Sequence, residues 1–117
     1  MSSPKTSISF HLRQGYILLI VPYLQVSGMA LFPFILVQKG NPSKILVNHE
    51  RIHLRQQIEL GIVFFYLWYL INYGVNRLKG MTHNQAYHQI IFEREAYRED
   101  ENLGYLTKRK WLAFLQY

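Results

Sequence analysis

Residues 49–53 read His-Glu-Arg-Ile-His. On a helix, positions i and i+4 share a face, so both imidazoles can reach one cation. Zinc accepts a neutral imidazole nitrogen at about 2.0–2.1 Å and, in catalytic sites, keeps a position open for water. The spacing therefore predicts His49 and His53 as zinc ligands. Glu50, beside the first ligand, is expected to be the general base that takes a proton from the water as it attacks a carbonyl. Without chemistry, the same residues are two histidines and a glutamate on a solvated helix. The surroundings argue against that reading. Arg51 and Arg55 can point outward, while Ile45, Ile52, Gln56 and Leu60 lie towards the side that would carry the metal. Gln57, four residues after His53, either lines the site or is solvated.

Catalytic zinc usually has three protein ligands, so a third is needed. The candidates are His11, His83, His88, Glu59, Glu93 and Glu95. Helical phase separates the last two. At about 100° per residue, Ala86, Ile90, Glu93 and Tyr97 form one stripe, and Glu95 falls on the opposite side with His88 and Glu99. A carboxylate in an apolar stripe needs a partner, which a metal would supply. The competing reading of Glu93 is a salt bridge to a buried arginine. Glu93 is the expected third ligand, with Glu95 expected to face solvent. His11, His83 and His88 read as ordinary surface or partly buried histidines.

HERIH followed downstream by Glu93-Arg94-Glu95-Ala96 resembles the gluzincin group of metallopeptidases, in the arrangement of the CAAX-protease and ImmA-like types. The resemblance covers roughly residues 29–100. It implies that Glu93 is the metal-binding glutamate and Ala96 the small residue after it, the same choice as the stripe. It also implies that residues 29–38 are an edge strand that pairs with an extended peptide substrate. One position departs from the pattern. Tyr97 stands where an Asp often orients a histidine ligand, so that support must come from elsewhere. Tyr97 and Tyr105 are the candidates for stabilising the transition state.

The elements that must position these residues are legible in outline. Residues 1–7 look like a frayed end. Residues 16–37 are apolar but interrupted by Pro22, Gln25, Ser27, Gly28 and Pro33, which suits strand, turn and strand. Pro33 inside the 29–38 strand places it at a sheet edge, because proline cannot donate a ladder hydrogen bond. Gly40-Asn41-Pro42-Ser43 is a turn, and Ser43 is a plausible helix cap. A helix should run from about Lys44 to about Tyr73, with a possible break near Gly61, followed by a connector over residues 74–81. Thr82 and Gln85 have capping-box spacing and should start a helix that continues to about Asn102. The tail, residues 105–117, reads as a docking strand or a short amphipathic helix.

Composition bounds the alternatives. A chain of 117 residues, half of them apolar and with no cysteine, predicts one packed domain without disulfides, thiolate ligands or a cysteine nucleophile. Residues 1–13 are mildly basic, but no small-residue cleavage site follows, so a signal peptide is not expected. The net charge of +6 is spread along the chain, with one run at Lys108-Arg109-Lys110. That run supports a rival reading as a binder of nucleic acid or another anionic surface. No nucleic-acid-binding signature accompanies it, and nucleic acid is not an expected partner. The run at residues 60–71 is too short to span a bilayer alone, and the mean hydropathy is −0.05. It supports a second rival, a non-catalytic protein with its aromatic segments in lipid. The reading carried forward is a single α+β, zincin-like domain that hydrolyses peptide bonds of a peptide or protein substrate with zinc. Membrane association is left as a possibility beside it.

Overall fold

The structure is a computed structural model that describes residues 6–117, so most of the end expected to fray lies outside the described residues. Ser7 already belongs to a strand, which corrects that expectation where it can be checked. The fold is α+β. Strands β1 (Ser7–His11), β2 (Tyr16–Ile20), β3 (Gly28–Leu31) and β4 (Phe34–Val37) form one sheet in the order β1-β2-β4-β3. β1 and β2 are antiparallel, as are β3 and β4, while β2 and β4 run parallel. The strand expected over residues 29–38 is thus two strands. Pro33 sits in the turn between them rather than within a strand, and its carbonyl accepts from Ile17 N at 2.9 Å. β3 lies at the sheet edge, as the proline had suggested for the whole segment.

Period-two burial seats the sheet on the helix that follows. Ile35 and Val37 of β4, Tyr16 and Leu18 of β2 and Ala30 of β3 pack with Leu54, Leu46 and Val47. That helix is α1 (Lys44–Leu60), and the Ser43 side chain caps it by accepting from Leu46 N at 3.0 Å. Gly61 ends it with φ +80° and ψ 150°, a positive-φ conformation that side chains rarely adopt. The chain then turns by 111° into α2 (Ile62–Leu78). The break at Gly61 is therefore real. α2 runs past Tyr73, and the connector shrinks to residues 79–81. No single helix among the described residues is long and apolar enough to cross a membrane.

The Thr82–Gln85 capping box starts α3 as the spacing predicts, but α3 (His83–His88) does not continue to Asn102. Ile90 is extended (φ −60°, ψ 132°), and α4 (Ile91–Glu99) begins after it. The restart has a structural cause. Asn72 of α2 accepts from Ile91 N at 2.9 Å and satisfies an amide that a helix start leaves free. A second core of Phe65, Ile90, Phe92 and Phe114 ties α2, α4 and the tail together. The Phe92 ring lies 4.6 Å from Phe65 and 4.9 Å from Phe114, centroid to centroid. Rings buried this way typically cost about 3–5 kcal/mol to truncate to alanine. The tail forms a short helix α5 (Tyr105–Lys108) and a 3-10 turn (Ala113–Gln116), not a strand.

Candidate metal centre

α1 carries His49, Glu50 and His53 on its inner face, and α4 crosses it with Glu93. Both His49 Nε2 and His53 Nε2 lie 3.0 Å from Glu93 Oε1. One donor atom from each of the three residues falls within 4.8 Å of the others, and all three residues are buried. The stripe and the resemblance both selected Glu93, and it is the glutamate that meets the histidines.

The partners on the far side of each ring assign its tautomer. His49 Nδ1 is 3.0 Å from Asp100 Oδ2, and His53 Nδ1 is 2.8 Å from Gln56 Oε1. Gln56 is itself oriented, because its amide nitrogen donates to Phe92 O and to Glu95 Oε1. Both Nδ1 atoms therefore face acceptors and carry the hydrogen. Both Nε2 lone pairs are left aimed at a carboxylate oxygen. Three electron-pair donors converging on one buried point suit a cation, and outer partners of this kind are usual behind histidine ligands. Without a cation, a proton takes its place. Burial opposes a charge on His53, but the Glu93 carboxylate, aided by Glu50 and Gln56, outweighs it and raises the imidazole pKa to about 9. Burial pushes the Glu93 carboxyl upward, and the two histidines more than reverse this, holding it below the usual range. The second Glu93 oxygen accepts from Tyr69 of α2 at 2.6 Å. The donor set fits zinc, which takes nitrogen and carboxylate oxygen ligands together.

Glu50 joins none of these hydrogen bonds. Burial raises its carboxyl above the usual range, against the pull of His53 and His49. It borders a cleft of about 610 Å³ with His53, Glu93, Tyr66, Tyr69 and the β3 edge. A second hollow of about 300 Å³ continues past Glu50 to His49, Tyr97 and Asp100. Gly28 lets β3 approach this closely, since a Cβ there would lie 3.3 Å from Glu50 Oε2 and 3.2 Å from Leu46 Cδ1.

Several expectations need correction. Glu95 is not in solvent. Its exposure is 0 %, and it accepts from Gln56, Tyr105 and Arg109. Arg109 also clasps Glu59 at 2.7 and 2.9 Å, so Glu59 and Glu95 are ion-pair partners and not ligands. The buried-arginine reading weighed for Glu93 thus applies to Glu95. Arg109 is consequently not part of a solvated basic run, which removes the central residue of the anionic-surface reading. Tyr105 is committed to Glu95 and Tyr117, away from the cleft. Tyr97 stacks edge-on against His49 at 4.5 Å. Ile45 lies on the metal side as expected, bordering the hollow with His49 and Glu50, but it is exposed there and not packed. Gln57 does line the cleft, donating to Ala30 O at 2.9 Å and accepting from Phe32 N at 2.7 Å. Tyr66 also donates to Ala30 O. The Ala30 carbonyl of β3 and the Phe32 amide just beyond it are therefore already engaged, which restricts any strand-like pairing along that edge to the stretch around Gly28. His83 borders the cleft and bonds Tyr73, while His88 bonds Asn84 O and His11 stacks on Tyr16.

Asp100, Tyr66 and Tyr69 belong to the site without having been singled out. Asp100 lies seven residues after Glu93, two turns along the same stripe, and supplies the support that Tyr97 cannot. Tyr66, Tyr69 and Tyr73 recur at helical spacing within a largely apolar run, a signal that hydroxyls face inward there. No protein-family model matches the chain, and no curated protein or solved structure matches it either.

Proposed function

We propose that the chain is a minimal zinc metallopeptidase of the gluzincin type that hydrolyses peptide bonds. His49, His53 and Glu93 would hold the ion. When bound, zinc supplies a Lewis acid and makes a coordinated water acidic enough to act as a nucleophile near neutral pH. The other roles belong to the chain. Asp100 and Gln56 hold the two imidazoles with their Nε2 lone pairs turned inward. Tyr69 occupies one Glu93 oxygen and leaves the other to the histidines. Glu50, buried at the cleft wall and bonded to none of the ligands, takes a proton and can return it to the departing amine. The cleft beside it accepts a chain segment, with Gly28 letting β3 lie close against Glu50 at its wall.

The observation that carries this reading is the convergence of two histidine lone pairs and one carboxylate oxygen, each fixed from behind, with a free carboxylate alongside. The test is a mixed peptide pool incubated with zinc-loaded protein and read by mass spectrometry. Cleavage is expected, with Glu50→Gln keeping its zinc and losing about 10²–10⁴-fold in rate. An intact pool with fully loaded protein, or loss of zinc in Glu50→Gln, would overturn the assignment.

A further inference from the structure

The outer face of α2 is built the wrong way round for water. Its inner side carries Tyr66, Tyr69, Asn72, Tyr73 and Asn76, whose polar groups bond the site, α3 and α4. Its outer side, about 160° wide at 100° per residue, presents only apolar residues and Gly74. Val63, Phe64, Leu67, Leu70, Ile71 and Leu78 are exposed on it, Val63 at 77 % and Leu78 at 90 %. A helix face bordering water normally carries charge, and an unbroken apolar stripe of this kind marks a contact surface.

Charge says what covers it. Residues 60–92 contain no Asp or Glu, while Arg77 and Lys79 are exposed at the end of α2. The tail that packs on Trp68 through Phe114 adds exposed Lys108, Lys110 and Trp111. A second copy laid on this face would bring the same cations against these. An anionic lipid surface complements them, with apolar side chains entering the acyl boundary and lysine and arginine meeting headgroups. We propose that the outer face of α2, flanked by Arg77, Lys79 and the tail lysines, docks on the surface of an anionic bilayer. The site faces the opposite side of the same helix, so this docking does not depend on whether the cleft hydrolyses peptides.

The test is co-sedimentation of the full chain with vesicles of phosphatidylcholine alone or mixed with phosphatidylserine. Trp68 and Trp111, the chain's two tryptophans, report contact through quenching by brominated lipid. Binding should favour the phosphatidylserine vesicles, weaken with added salt and quench the fluorescence. Leu70→Glu with Leu78→Glu should weaken it at least about tenfold, whereas Leu12→Glu, exposed beside β1, should not. Equal or absent binding to the two vesicle types would overturn the proposal. So would binding indifferent to the paired α2 substitutions. A dimer in solution that these substitutions split, without any vesicle binding, would assign the face to a second copy instead.

Discussion

Replacing Arg109 with methionine separates a buried ionic anchor from a decorative surface cation. Its guanidinium is enclosed, with a side-chain exposure of 1 %, and it holds Glu59 and Glu95, both at 0 %. Its pairing with these carboxylates raises its own pKa against the opposing effect of burial. Arg109→Met would leave two carboxylates in the interior without a counter-charge. Breaking a buried pair by removing one partner costs about 3–5 kcal/mol. For a domain near 100 residues, each kcal/mol moves Tm by about 4–8 °C, so melting should fall by at least about 12 °C. Differential scanning calorimetry of the metal-free protein reads this directly. Neutralising the carboxylates as well, with Glu59→Gln and Glu95→Gln, should restore part of the loss. A solvated arginine would change stability by no more than about 0.5 kcal/mol. A Tm within about 3 °C of the parent would refute the buried-anchor reasoning.

Asp100→Ala should lower zinc affinity about 10–100-fold while leaving the fold intact, as competition with a chromogenic chelator would show; unchanged affinity would mean that His49 needs no support from Asp100. Gly28→Val should keep zinc but lower kcat, because the new side chain meets Glu50 and Leu46, and steady-state kinetics with parallel metal analysis checks this. Glu95→Ala should destabilise the protein, because Arg109 and Gln56 each lose a buried acceptor, and its denaturant midpoint should fall where a solvent-facing residue would leave it unmoved.

The features that could be read before the structure are those that depend on local spacing. His49 and His53 are neighbours because one helical turn separates them. Glu93 and Tyr97 share a face because α4 is regular between them, even though the helix assumed to start at Thr82 breaks at Gln89–Ile90. The Thr82 cap and the break at Gly61 follow from the chemistry of single residues. What stayed hidden depends on distant contacts. Glu95 sits opposite Glu93, but the opposite face of a helix is solvent only if nothing packs there. Arg109, 14 residues after Glu95, packs there and pairs it with Glu59, which lies 50 residues before Arg109. The polar row behind His53, through Gln56 and Glu95 to Arg109, likewise joins three segments of the chain. Strand β1 and the division of residues 29–38 into a hairpin escaped because short strands carry little periodicity. A proline could mark the edge strand or the turn beside it, and here it marks the turn.

The most direct measurement is the metal content of the protein purified without added zinc, by inductively coupled plasma mass spectrometry, beside His53→Ala and Glu93→Ala. The expected result is about one zinc per chain in the parent and little in either variant, since each removes one of three converging donors. A parent without stoichiometric metal after incubation with zinc, or variants that keep full occupancy, would contradict the metal centre on which the proposed function rests.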